Sequence, residues 1–205
     1  MSQTELYAFD AQGYAYPCGE TPNAWRGAMA VWDILEQRHL PQYIPYYVKA
    51  CRWYRPDIPI EEIKAHIGFT PRRISATSFN GVDPMQDIWD LADSNKLSPE
   101  ERIALYTTFD GALVRKEEFQ KVIEAFRSFG GSTSLPKQAD IIEGLLKEGT
   151  AIAVGWNQTS VNADSWENIG ETDAETGEPL PYNCLTGSKH FWMFDEIGEA
   201  DGGCA

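Results

Sequence analysis

Residues 151–166 read AIAVGWNQTSVNADSW, and a short apolar run turns there into a dense polar and aromatic segment. The apolar run from Ala151 to Val154 predicts a buried strand that ends at Gly155. The segment from Trp156 to Trp166 then offers many hydrogen-bond donors and acceptors between two indole rings. Such a segment is either a working loop or a structural one that satisfies backbone groups at the end of a strand. The local sequence leaves both interpretations open.

Length and composition indicate a folded domain. The chain has 205 residues, of which 42% are hydrophobic and 12% aromatic, so it can bury a sizeable core, and these values favour a globular fold over wholesale disorder. No stretch reaches the roughly 20 consecutive apolar residues of a membrane-spanning helix. The N-terminus lacks the basic and apolar regions of an export signal. We therefore expect a cytoplasmic protein that makes no membrane contact.

The cysteines are too far apart to form a recognisable framework. Cys18, Cys51, Cys184 and Cys204 form no CxxC pair and no cluster with histidine. The sequence therefore predicts reduced thiols, with neither a zinc site nor a disulfide scaffold.

Charge is unevenly distributed along a chain whose formal net charge is −14. Residues 159–205 contain ten acidic side chains and one basic residue, Lys189. Residues 38–73 contain seven basic and three acidic side chains. This polarity disfavours non-specific binding to nucleic acid or to an anionic membrane, because a phosphate backbone attracts a net cationic surface.

Hairpin and helix signals alternate along the chain. The aromatic alternation from Leu6 to Tyr16 around Gly13 predicts an antiparallel hairpin. Helical patterns occur at residues 23–38, 60–67, 84–92, 116–129 and 134–148. We therefore predict an α+β fold, with a mainly antiparallel sheet packed with about five helices in a single compact domain. Residues 1–195 form this domain, and residues 196–205 are expected to be a flexible C-terminal tail.

Two further predictions concern ambiguous segments. Ser98 and Glu101 have the spacing of a capping box, but residues 103–109 are rich in strand formers, so we predict one helical turn followed by a strand. Thr176 and Gly177 predict a turn between two strand-like pieces. Strands at residues 182–185 and 190–194 are expected around the turn at Gly187.

Candidate chemistry is sparse. Cys184 and His190 lie six residues apart across a predicted hairpin, and a histidine beside a cysteine can stabilise a nucleophilic thiolate. The alternative is that both residues simply pack in the core. The histidines lie in unrelated segments and no metal-binding or phosphate-binding motif is present, so no metal and no cofactor are predicted.

Two candidate binding sites do not depend on the carboxylates of residues 159–205, which we name the acidic end. The segment from Trp156 to Trp166, which we name the opening loop, could hold a small ligand through amide groups and stacked rings. The residues that would supply them are Trp156, Asn157, Gln158, Asn162 and Trp166. A basic and aromatic region from Tyr43 to Arg73 could stack on bases and hold phosphates, with Arg52, Arg55, Arg72 and Arg73 as the cationic contacts. The acidity of the whole chain weighs against the second site.

The acidic end supports the leading hypothesis. Its carboxylates recur at short intervals and could dock on a basic protein; they are Asp164, Glu167, Glu171, Asp173, Glu175 and Glu178. The alternative is a solvated face. We expect a non-enzymatic accessory or inhibitor-type protein, of the kind that phages and mobile elements encode, with a basic protein partner and a possible homo-oligomeric state. An enzyme or ligand-binding protein that uses the opening loop with Cys184 and His190 is the alternative.

Overall fold

The computed structural model describes residues 3–22, 28–39, 91–92, 96–109, 111–157 and 166–202. The chain divides into two compact units, one of residues 1–31 and 97–205 and the other of residues 32–96. The boundary between residues 31 and 32 falls within helix α1 (Ala28–His39). The strands and the remaining helices named below belong to the first unit.

A five-stranded mixed sheet forms the centre of the first unit. Strands β1 (Gln3–Phe9) and β2 (Ala15–Pro22) form the hairpin that the sequence predicts. Strands β3 (Ala112–Arg115) and β4 (Ala153–Asn157) pair antiparallel, and β4 also pairs antiparallel with β1. A short strand, Phe191–Trp192, which is β7 in chain order, joins β3 in parallel. The strand order is β2-β1-β4-β3-β7. The central strand is therefore β4, which lies within residues 151–166.

The described residues of the first unit contain four α-helices besides α1. Helices α2 (Pro99–Tyr106), α3 (Phe119–Ser128), α4 (Leu135–Glu148) and α5 (Met193–Gly202) have these bounds. Helix α2 begins with the predicted capping box, in which Ser98 and Glu101 bond each other's backbone N–H groups. Helix α4 ends at Gly149, whose positive φ of 74° is the left-handed conformation that glycine adopts readily.

The two faces of the sheet bury different side chains. On one face, Trp156 of β4 packs edge-on against Phe126 of α3 with ring centroids 6.2 Å apart. On the opposite face, Phe9 and Ala153 pack in a buried cluster with Trp166. Side chains alternate between faces along a strand, so Trp156 and its neighbour Gly155 face opposite layers.

The predicted α+β class, with a mainly antiparallel sheet and about five helices, is confirmed by the described residues, which contain five α-helices. The division at residue 195 stays a prediction. Helix α5 covers part of the segment for which the sequence predicts a flexible tail.

Three local predictions were wrong. Residues 103–106 belong to α2 rather than to a strand, because the capping box starts a helix and the burial of Ile103 to Tyr106 stabilises it against their strand propensity. Gly155 lies within β4 and does not end it. The predicted second hairpin is absent from the described residues around Gly187: Asn183 makes an isolated bridge to Tyr14, and β7 pairs with β3 instead.

Candidate functional site

Trp156 belongs to a buried polar network. Its indole Nε1 donates a hydrogen bond to Gln138 Oε1 of α4 at 2.8 Å. The Gln138 amide nitrogen donates to Ser134 Oγ at 3.0 Å and to Thr21 Oγ1 of β2 at 3.5 Å. All four side chains are buried. The network joins β2, β4 and α4, so Trp156 has a structural role in this layer.

Asn157 positions a carboxylate at the end of β4. Its side-chain nitrogen donates to Glu5 Oε2 at 3.2 Å, and the Tyr7 hydroxyl donates to the same oxygen at 3.3 Å. Asn157 is buried, whereas Glu5 and Tyr7 are half-buried. The three side chains tie β1 to β4 where the polar segment begins. Gln158 and Asn162, the other amide residues predicted for a ligand site, lie outside the described residues.

Trp166 is the centre of an aromatic cluster on the face of the sheet opposite α3 and α4. Its ring stacks on His190 with centroids 4.3 Å apart and an angle of 23° between the planes. Tyr7, Phe9 and Tyr182 surround it at centroid distances of 5.5, 5.4 and 6.0 Å. Trp166 is buried, as is Tyr182. The cluster therefore attaches the start of the acidic region to the sheet.

Glycines provide the space for this cluster. An added Cβ at Gly155 would lie 2.5 Å from Trp166 Cη2, and one at Gly111 would lie 2.6 Å from His190 Nδ1. One at Gly187 would contact the ring of Tyr182. The three rings therefore lie directly on backbone, which only glycine permits at such distances.

Cys184 and His190 both lie in the aromatic cluster around Trp166. Cys184 is buried in the aromatic cluster, and burial raises the pKa of its thiol to about 11. Such a thiol is protonated at neutral pH, whereas nucleophilic attack requires the thiolate. His190 lies between the face of Trp166 and the edge-on ring of Tyr182, whose centroid is 4.4 Å away. This arrangement supports packing rather than thiolate chemistry.

The acidic residues form a hairpin of their own. Strands β5 (Glu167–Thr172) and β6 (Pro179–Pro181) pair antiparallel in a separate two-stranded sheet, as the predicted turn at Gly177 requires. The carboxylate of Asp173 accepts hydrogen bonds from the backbone N–H groups of Thr176 and Glu175, at 2.8 and 2.9 Å. These bonds hold the pKa of Asp173 below its usual value. Asp173 therefore shapes the turn.

The remaining described carboxylates of the hairpin point into solvent. Glu171, Glu175 and Glu178 are exposed around the turn. The backbone of Glu167 lies in β5, and Asp164 lies outside the described residues. The four arginines predicted for nucleic-acid contact also lie outside them, namely Arg52, Arg55, Arg72 and Arg73.

A groove between α2, α3 and α5 is a feature that sequence reasoning missed. Its volume is about 500 Å³, and its lining includes Ile103, Phe194 and Ile197 together with charged residues such as Lys121 and Glu124. The Lys121 ammonium lies 5.1 Å from the centroid of the Phe194 ring. No sequence signal indicated this groove, because a strand was predicted in place of the second half of α2 and a tail in place of most of α5.

Within the described ranges, no three histidine, cysteine, aspartate or glutamate side chains come together as a metal site requires. No helix in the described part of the chain is long and apolar enough to cross a bilayer.

Comparison of this chain with models of protein families, with curated protein sequences and with solved structures finds no match.

Proposed function

We propose that the protein acts in the cytoplasm by binding a partner with a basic surface through the β5–β6 hairpin. The observation that carries the proposal is the exposure of Glu171, Glu175 and Glu178 around one turn. Carboxylates grouped in this way attract lysine and arginine side chains and accelerate the encounter with a basic partner.

The hairpin is suited to binding because its turn is already ordered. The Asp173 carboxylate holds the turn from inside, and the Asp173 N–H donates to the Glu178 carbonyl at 2.8 Å. At the two ends of the hairpin, Trp166 and Tyr182 are buried against the sheet. An ordered turn loses less conformational entropy when a partner binds.

The outer edge of β6 is poorly suited to backbone contacts with a partner. The Glu178 carbonyl and the Tyr182 N–H both form hydrogen bonds towards the β5 side of the hairpin. Backbone groups alternate in direction along a strand, so the nitrogens of Pro179 and Pro181 lie on the outer side of β6. Proline has no N–H, so the outer edge of β6 cannot donate to an added strand at these positions. This arrangement disfavours strand addition at the outer edge of β6.

Neutralising the exposed carboxylates tests the proposal. The variant E171Q/E175Q/E178Q leaves Asp173 in place, so the turn should keep its shape. We expect its affinity for an oligoarginine peptide, measured by fluorescence anisotropy, to fall by about tenfold, since exposed ion pairs contribute about 0.2–1 kcal/mol each. Binding by the wild-type protein should also weaken at high salt because the attraction is screened.

A matched control separates the hairpin from net charge. The variant E117Q/E124Q/E148Q removes the same charge from exposed positions outside the hairpin. It should bind nearly as well as the wild type. Equal losses in the two variants would show that total charge alone drives binding, and the hairpin would not be the site. A pull-down from the native host with the same variants then identifies the partner.

The alternatives stay hypotheses. Ligand binding or catalysis through the opening loop gains no support from Trp156 and Trp166, whose rings are buried in packing. The residues that would carry nucleic-acid binding lie outside the described part of the chain.

A further inference from the structure

The groove between α2, α3 and α5 has apolar walls, and all three helices belong to the first unit. Ile103 of α2 and Ala125 of α3 are buried in its lining, whereas Phe194 and Ile197 of α5 are half-buried and still contact solvent. Phe194 and Ile197 are three residues apart, so they share a face of α5. The volume of about 500 Å³ lies within the range of about 300–1,000 Å³ that is typical of ligand pockets, so the groove can enclose apolar groups of a partner.

The carboxylates at this groove are accessible. Glu100 of α2 and Glu124 of α3 line the groove, and both are exposed. The first turn of α5 carries Asp195 and Glu196, which are exposed as well. Arg115 donates two hydrogen bonds to the Asp195 carboxylate, at 2.7 and 2.8 Å, and neutralises it. Glu100, Glu124 and Glu196 therefore place accessible negative charge on all three helices.

The cations of the groove are less available than its carboxylates. Arg102 is only 6% exposed, so a partner meets little of its side chain. Lys121 is exposed, and its ammonium lies 5.1 Å from the centroid of the Phe194 ring. Burial raises the pKa of the neighbouring Glu118 carboxyl, and the positive charge of Lys121 partly offsets this. Because Lys121 already interacts with Phe194 and Glu118, the charge that the groove presents to a partner is negative.

We propose that this groove docks a basic amphipathic helix of a protein partner. The apolar stripe of that helix contacts Ile103, Phe194 and Ile197, and lysine or arginine side chains beside the stripe pair with Glu100 and Glu124. The net charge of −14 attracts the same partner at longer range. This surface is separate from the β5–β6 hairpin and does not depend on it.

The architecture of the groove favours a helix as its occupant. Its walls are helices, whose backbone groups are bonded internally, so they offer no edge to which a strand can be added. Contacts must come from side chains, and the rows of side chains on one helix pack into the grooves between those of its neighbours. An amphipathic helix lying in an apolar groove is a common mode of peptide recognition.

Designed peptides test the proposal on the full chain. The probe is a helix of about four turns made of leucine and lysine, with leucine on one face. One control peptide has the same composition in an order that gives no apolar face, and a second has glutamate in place of lysine. We expect the methyl resonances of Ile103 and Ile197 to shift with the probe and with neither control. Those of Leu113, which is buried in the aromatic cluster, should stay constant.

An apolar variant tests the wall formed by α5. I197S should weaken binding of the probe by about tenfold, as expected when an apolar contact at the centre of a small interface is removed. L146S makes a comparable change at a half-buried position of α4 outside the groove, and it should bind the probe like the wild type. Equal losses in the two variants would overturn the proposal.

A charge variant tests the carboxylates. E100Q/E124Q should weaken binding of the probe by about fivefold and reduce its salt dependence, since exposed ion pairs contribute modestly and are screened. E175Q/E178Q removes the same charge from the hairpin and should leave the shifts of Ile103 in place. Equal losses would show that total charge alone drives binding, and the groove would not be the site.

The groove and the hairpin can fail independently. Oligoarginine has no apolar stripe, so I197S should not change its binding to the hairpin. The variant E171Q/E175Q/E178Q should in turn keep the shifts of Ile103 and Ile197 with the leucine–lysine probe. Constant resonances of Ile103 and Ile197, or equal shifts with the probe and either control peptide, would overturn the proposal for the groove without affecting that for the hairpin.

Discussion

Gly155 leaves room in the central strand for the indole ring of Trp166. A methyl group at this position would lie 2.5 Å from Trp166 Cη2 and 2.9 Å from Leu113 Cδ2, and both side chains are buried. We therefore expect G155A to lower the free energy of unfolding by about 1–3 kcal/mol, because it overpacks the core. Urea denaturation monitored by circular dichroism measures the change.

Gly144 provides the matched control for this substitution. It lies within α4, and an added Cβ there would meet nothing within 4 Å. The variant G144A should raise the free energy of unfolding by about 0.5–1 kcal/mol, since alanine favours a helix over glycine. Similar effects of the two substitutions would contradict the packing of Trp166 against β4.

The β5–β6 hairpin depends on its attachment to the sheet. A two-stranded hairpin is marginally stable by itself, and this one is attached through Trp166 before β5 and Tyr182 after β6. We expect W166A to speed the proteolysis of residues 167–181 by about tenfold, since each aromatic pair contributes about 0.5–1.5 kcal/mol. Limited digestion followed by mass spectrometry locates the cuts. The circular dichroism of the helices should stay unchanged.

The milder variant W166F should give an intermediate digestion rate because it keeps one aromatic ring in the cluster. E175Q changes an exposed residue of the turn and should digest like the wild type. If W166A were cut at the same rate as the wild type, the ring would not be what attaches the acidic region.

The acid stability of the whole molecule follows from carboxylates that are bonded in the folded state. A hydrogen bond from Arg115 lowers the pKa of Asp195, one from Lys147 lowers that of Glu143, and backbone N–H groups lower that of Asp173. Such groups stabilise the folded state above their unfolded pKa, and this contribution is lost as pH falls through the folded pKa. The free energy of unfolding should therefore decrease between about pH 5 and about pH 2.

Glu118 should behave in the opposite way. Burial raises the pKa of its carboxyl, although Lys121 and Arg115 partly offset this, and its Oε2 is buried without a hydrogen bond in the described part of the chain. Its ionised form therefore opposes folding, and E118Q should be more stable than the wild type at pH 7. The difference should shrink as pH falls and the wild-type carboxyl becomes protonated. Lower stability of E118Q at neutral pH would contradict this assignment.

Patterns that depend on neighbouring residues were predictable from the sequence. The β1–β2 hairpin, α3, α4 and the turn at Gly177 follow from local spacing and turn chemistry. Residues 103–106 were not predictable in this way, because strand propensity and the capping box pointed to different structures. The buried environment of α2 is consistent with the helix. The groove beside α2 was missed for the same reason.

The sequence by itself determined the α+β class, the position of the central strand and the concentration of acidic residues after it, because these depend on composition and local periodicity. Only the tertiary structure decided where the polar and aromatic side chains of residues 151–166 are buried and which residues they contact. Trp156 and Trp166 are ten residues apart in one segment, yet they are buried on opposite faces of the sheet. That separation depends on strand pairing and on the space left by Gly155, and neither can be read from the segment alone.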